Sequence, residues 1–217
     1  MVMERISNTW TLFTQDRFSE AATAFRQLVE DPQSTDVEHQ QAEFGLGYSL
    51  AFLGEFEEAR QCFTRLRVQA AGRNDLSAEH RALHQVGMVE RMAENWSAAH
   101  ACFVEEQQLI QQLGSPDLEV AVNAYEMGIV TLGQGSVAES RTWFELSLSH
   151  AQKTTDLVAV GCAYRGLGDW EDARGHAQEA VNLWEASQHA FLQAGETKAS
   201  EEVRLRMQPY RSERQPG

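Results

Sequence analysis

The chain has 217 residues, of which 42% are hydrophobic and 9% aromatic, and its formal net charge is −14. That much apolar material can build a continuous core, which excludes wholesale disorder. The acids are spread along the chain as a solvated face, and the balance speaks against nucleic acid, whose phosphates need a clustered cationic surface.

In chain order, hydrophobic periodicity and turn signals predict helices in pairs at about 4–14 and 17–30, 36–53 and 56–71, 77–93 and 96–113, 117–133 and 137–152, and 156–173 and 176–194. A last helix covers about 196–208, and 209–217 is read as a flexible tail. Polar turn segments separate the pairs: DPQST after Glu30, GRND after Ala71, GSPD after Leu113, KTTD after Gln152 and GET after Ala194. Thr35 with Glu38 and Ser136 with Glu139 fit capping boxes. Ser115-Pro116 suits a cap followed by proline in the first turn. The four prolines interrupt no long periodic stretch.

These elements repeat. Small residues Ala21, Ala59, Ala99, Ser140 and Ala180 are spaced by 38, 40, 41 and 40 residues, and each is followed four positions later by an aromatic: Phe25, Phe63, Phe103, Phe144 and Trp184. Twelve residues before each small residue after the first stands a glycine: Gly47, Gly87, Gly128 and Gly168. A glycine inside a helix costs about 1 kcal/mol against alanine, so it needs a packing reason. Here it lets two helices of a pair approach closely, while the small residue makes room at the crossing and the aromatic one turn on fills the space between repeats. In the fifth repeat Ala173 offers a second register with a spacing of 33, which would leave Gly175 inside a helix. Ala180 keeps the period and leaves the last helix free to cap the array, as repeat proteins require.

Over about residues 4–194 the pattern resembles the tetratricopeptide repeat family. Its leucine-glycine pair and later alanine and aromatic stand at Leu46-Gly47 with Ala59 and Phe63, and at Leu167-Gly168 with Ala180 and Trp184. Repeat one departs from it with Thr9 for the glycine, and repeat four with Ser140 for the alanine. The period exceeds the 34 residues usual in the family, and is similar to the long repeats of kinesin light chains and bacterial peptide-sensing regulators. The resemblance implies an all-α, right-handed superhelical solenoid of about five antiparallel helix pairs plus a C-terminal capping helix, forming a single domain over 1–208.

It also implies a partner-binding groove lined by the first helix of each pair. Carried over position by position, the groove residues are Trp10; Phe44, Tyr48 and Phe52; His84, Met88 and Arg91; Tyr125, Glu126 and Ile129; and Arg165 and Asp169. For Phe44 and Phe52, ordinary core between repeats is the competing reading. Family members that grip a C-terminal carboxylate use lysine and asparagine at these positions. Phe44, Gly45 and Tyr48 stand there in repeat two, so no clamp of that kind is expected. An apolar or aromatic segment carrying an acid for Arg91 or Arg165 is the expected ligand.

No catalytic constellation stands out. His80 and His84, four apart, lack the acidic neighbour of a zinc-protease helix, and no metal or cofactor is expected. Cys62, Cys102 and Cys162 read as packing thiols rather than a disulfide framework or a nucleophile. The N-terminal MVMERISNTW has no signal-peptide core, and no stretch approaches the roughly 20 apolar residues that span a bilayer. The expectation is a cytoplasmic, non-enzymatic scaffold with a protein or peptide partner and neither nucleic acid nor membrane. Two alternatives stay open: a regulator whose superhelix responds to a short peptide, and a homo-oligomeric structural protein, for instance a homodimer.

Overall fold

Eleven helices follow one another in a computed structural model that describes the backbone of Val2–Ser212 and the side chains of 5–210. They are α1 (Val2–Thr14), α2 (Phe18–Glu30), α3 (Asp36–Phe52), α4 (Phe56–Gly72), α5 (Leu76–Met92), α6 (Trp96–Gln112), α7 (Asp117–Gly133), α8 (Val137–Ala151), α9 (Leu157–Ala173), α10 (Ala177–Ala194) and α11 (Thr197–Ser212). Among the described residues there is no strand. The chain divides into two compact units, Met1–Leu109 and Ile110–Gly217. The fold is an all-α tandem repeat of helix pairs, with boundaries one or two residues from those read in the sequence. The exception is α11, which runs to Ser212 and holds Pro209 inside it. Its last turn persists because the Tyr210 ring packs 5.8 Å from that of Trp184 and its hydroxyl donates to Asp172.

Repetition in the sequence becomes repetition in packing. Ala21, Ala59, Ala99, Ser140 and Ala180 are each fully buried, and the five aromatics behind them are at most 2% exposed. The partner of each repeat glycine is the aromatic 16 residues later. A Cβ on Gly47 would stand 2.7 Å from the Phe63 ring, on Gly87 2.7 Å from Phe103, and on Gly128 2.5 Å from Phe144. Gly168 meets the Trp184 indole in the same way. A second glycine, two residues earlier in α3 and α9, receives the ring of the preceding repeat: Gly45 faces Phe25 and Gly166 faces Phe144. Phe144 is therefore held between two helix backbones. The register of the fifth repeat follows, since Ala180 is fully buried, Ala173 is exposed, and Gly175 lies in a turn at φ 78°.

The two helices of a pair are joined by one kind of turn. A left-handed residue (Asp16, Gly54, Glu94, Gly135 or Gly175) ends the first helix. The next N–H bonds back to a carbonyl five residues earlier, as Glu55 does to Leu50 and Ser136 to Thr131, which is a Schellman closure. That same residue opens the second helix, with its ψ set near 60° by the turn. Ser136 (ψ 60°) consequently makes no side-chain cap, and the capping box expected with Glu139 is not formed. The Thr35–Glu38 box is formed in full, and Asp75 and Asp156 cap α5 and α9 through Ala78 and Ala159. Pro116 occupies the cap position of α7, one residue later than expected, with Ser115 in the left-handed region.

The acids are not all on the solvated face. Glu38, Glu43, Glu90, Glu106 and Glu126 are each less than 8% exposed. Inside the first unit Arg65 donates to Glu43 at 2.5 Å, and Arg60 reaches Glu90 at 2.5 Å while Asn95 bonds its second oxygen at 2.9 Å. Burial works against the Glu90 charge, but Arg60 and Asn95 outweigh it and hold its carboxyl below the usual glutamate range. A depressed folded pKa stabilises the fold above the unfolded value and is lost as pH falls through the folded one. Glu90→Gln should cost about 1.5–3 kcal/mol at pH 7, with the cost shrinking below about pH 4.5. Urea unfolding of both chains at pH 7 and pH 4 checks this; a pH-independent difference would refute the charge assignment.

Candidate functional site

The first helices carry the candidate groove residues, and the two units are described separately. In the first unit the groove positions gather around an aromatic cluster. Trp10 of α1 lies edge-on to Phe25 at 5.0 Å and to Tyr48 at 6.3 Å. Phe44 and Tyr48 of α3 pack against each other at 5.2 Å and both meet the buried Phe63, at 5.3 and 5.5 Å. Both are half-buried, so each combines core packing with an exposed edge. Burial pushes the Tyr48 phenol up to about 12, against a hydrogen bond with Gln85 of α5. Phe52, one turn on, is 54% exposed and stacks on Phe18 at 4.8 Å with an interplanar angle of 11°. Phe13 packs edge-on against both, 5.6 Å from Phe52 and 5.3 Å from Phe18. The groove reading missed Phe13 and Phe18. Phe13 stands three residues after Trp10, and that spacing on one helix was the available signal.

On α5, His84, Met88 and Arg91 are half-buried and stand on one side of the helix. Arg91 donates to the Met88 sulfur at 3.6 Å. His84 Nδ1 bonds Oε1 of the buried Glu106 at 3.0 Å, and His80 Nε2 stands 3.0 Å from the same oxygen. The two imidazoles thus converge on one carboxylate of α6. Among the described residues no group of three or more His, Cys, Asp or Glu could hold a metal ion.

In the second unit Tyr125 and Glu126 of α7 are buried, at 7% and 4% exposure. They form the floor of this face, with Ile129 half-buried beside them. Arg165 of α9 covers Tyr125: its guanidinium lies 5.5 Å above the ring, and its Nε and Nη2 donate to the phenol oxygen at 3.0 and 2.6 Å. Arg165 also stands 3.6 Å from Glu202 of α11. Asp169 accepts from the Trp184 indole at 2.9 Å and from Arg206 of α11 at 3.1 Å. Burial pushes its carboxyl up, against the pull of those partners. The structure therefore brings Tyr125 and Arg165 together, and ties Arg165 and Asp169 to the final helix.

All three cysteines are thiols. Burial raises each, to about 11 for Cys102 and Cys162, so none is a thiolate at neutral pH. Among the described residues no helix is long and apolar enough to cross a membrane.

Residues 10–75 and 157–187 match two family models, each described as a tetratricopeptide repeat. Both stretches thus carry tetratricopeptide repeats. Solved structures show the long-repeat form of the fold. BtubC (BKLC) from P. vanneervenii matches with a TM-score of 0.67 at 15% identity, over 89% of this chain and 81% of that one. A putative kinesin light chain from Podosopora anserina with nearly identical TPR-like repeats matches at 0.64 and 12% identity, over 90% and 97%. A Rap protein complexed with Competence and Sporulation Factor matches at 0.56 and 13% identity, over 96% and 60%. At these identities the tetratricopeptide-repeat likeness is one of fold. No curated protein matches the sequence.

Proposed function

We propose that the chain is a protein-interaction scaffold that binds an extended segment of a partner protein along its first helices. The observation that carries this is the aromatic surface of the first unit. Phe52 is more than half exposed and stacked on Phe18, with Trp10, Phe13 and Tyr48 half-buried beneath it. Large aromatics that keep one face in water while their backs are packed suit a binding hot spot, because little side-chain entropy is lost on contact. His84, Met88 and Arg91 extend that surface, and in the second unit Tyr125, Glu126, Ile129, Arg165 and Asp169 form its counterpart. The likeness to a Rap protein complexed with Competence and Sporulation Factor supports a bound partner, and a regulator whose superhelix responds to a short peptide is the second reading. No cofactor, nucleic acid, membrane or catalytic step belongs to the proposal.

Affinity capture from the native cell with mass spectrometry supplies the partner. Phe52→Ala and Tyr48→Ala should each weaken its binding at least tenfold, about 1.4 kcal/mol. Leu192→Ala, exposed on a second helix, should not change it. Full affinity in both groove variants, with the fold intact, would place the interaction elsewhere.

A further inference from the structure

In a chain of net charge −14 almost every cation meets an acid. Arg5, Arg17, Arg26, Arg60, Arg65, Arg67, Arg141, Lys153, Arg165, Arg174, Arg204 and Arg206 all stand within 4.0 Å of a carboxylate. Arg91 and Lys198 are also engaged. Among the described residues Arg73 and Arg81 form no ion pair, and both line the same cleft. It has a volume of about 200 Å³, and its wall is completed by Gln40, Gln41, Phe44, Leu66, Ala78 and Ala82.

What the two guanidiniums do touch is neutral. Arg81 Nη1 donates to the Ser77 hydroxyl at 2.6 Å. The Gln40 carboxamide, with its oxygen turned toward Arg73, accepts from Nη1 at 2.7 Å and Nη2 at 3.3 Å. A second cleft of about 380 Å³ shares Arg73 and Gln40 and is lined besides by Asp36, His39 and Gln69. Asp36 is the one acid among the lining residues of either cleft, and it makes no ion pair with Arg73.

We propose that the cleft bounded by α3, α4 and α5 is a carboxylate-binding subsite that takes an acidic group carried beside an aliphatic side chain of a partner's peptide segment. Guanidinium forks match a carboxylate through paired N–H bonds. Phe44, Leu66, Ala78 and Ala82 offer apolar surface for the neighbouring side chain. The volume is below the roughly 300–1,000 Å³ of a whole ligand pocket, so it suits one or two residues. Arg165, to which the groove reading looked for the partner's acid, is bonded to Tyr125 and stands 3.6 Å from Glu202, whereas Arg73 and Arg81 have no carboxylate. The inference rests on the scaffold reading and adds to it the chemistry of one subsite.

The test titrates the full chain with three peptides: acetyl-Leu-Leu with a free terminus, acetyl-Leu-Glu-Leu-amide, and the neutral acetyl-Leu-Leu-amide. Side-chain Nε–H resonances of arginine and calorimetry report binding. At least one acidic peptide should shift Arg73 and Arg81 saturably and bind at least tenfold more tightly than the neutral one. Which of the two binds separates a chain terminus from an acidic side chain as the source. The double variant Arg73→Gln, Arg81→Gln should lose at least tenfold in affinity with an unchanged Tm, whereas Arg26→Gln should lose nothing. Equal binding of the neutral peptide, or full binding by the double variant, overturns the subsite. If the captured partner binds that variant normally and still needs Phe52, the subsite fails while the scaffold stands. Loss with the double variant alone would keep the subsite and refute the aromatic surface.

Discussion

Replacing Phe144 with alanine is expected to cost about 3–5 kcal/mol, a large part of the stability of any ordinary domain. The ring is fully buried, with its centroid 6.1 Å from that of Tyr125, and it is held between the backbones of α7 and α9 at Gly128 and Gly166. Two helices that approach closely around a ring cannot collapse into the space it leaves, so the cavity term stays close to its full value. The reverse substitution tests the same geometry. Gly128→Ala adds a good helix former worth about 1 kcal/mol, yet its Cβ would stand 2.5 Å from a ring that has no room to move. It should destabilise, while Gly72→Ala, whose Cβ would meet nothing within 4 Å, should be neutral or stabilising. Denaturant unfolding of the three variants is the measurement. A Phe144→Ala loss below about 1 kcal/mol would show that this contact contributes little.

Ending the chain at Gly195 has an effect of similar size. Val203 and Met207 of α11 are fully buried against Ala180, Val181, Trp184 and Phe191, with Tyr210 half-buried beside them. Each fully buried side chain of this kind contributes about 1.5–3 kcal/mol, so the loss should approach 5 kcal/mol. The same cut removes the ion partners of Arg165 and Asp169. An apolar face without its cap favours association. Light scattering should show oligomers and the Tm should fall; a monomer with unchanged Tm would mean that α11 does not cap the repeat.

The helix pairs were legible because their signals are local and redundant. A small residue, an aromatic four later and, after the first repeat, a glycine twelve earlier constrain each repeat independently, and an error in one is corrected by its neighbours. The Ala173 register of repeat five fails on that consistency. What was not legible depended on turn geometry and on partners distant in sequence. Ser136 has the residue type and spacing of a cap, but the turn that ends α7 sets its backbone first. Gly45 and Gly166 were in plain view within two Gly-Leu-Gly triplets, yet the rings that need them belong to the preceding repeat.

The candidate site was less legible than the fold for the same reason. A groove position says which side of a helix a residue occupies, not whether another helix covers it. Tyr125 and Phe44 each stand three residues before their repeat glycine, but Arg165 closes over the first while the second keeps an open edge. Arg73 and Arg81 drew no notice as a pair because one ends α4 and the other lies in α5. Only the distribution of ion pairs singles them out.

Contacts between a ring and a glycine 16 residues before it have a kinetic side. They close short loops, and even the bond from Arg165 to Tyr125 spans only 40 residues. Short loops lose little chain entropy when they close, so ordering can begin in any repeat and spread to the next. During synthesis each helix pair can find its own aromatic–glycine contact soon after it emerges, well before the last repeat has been made.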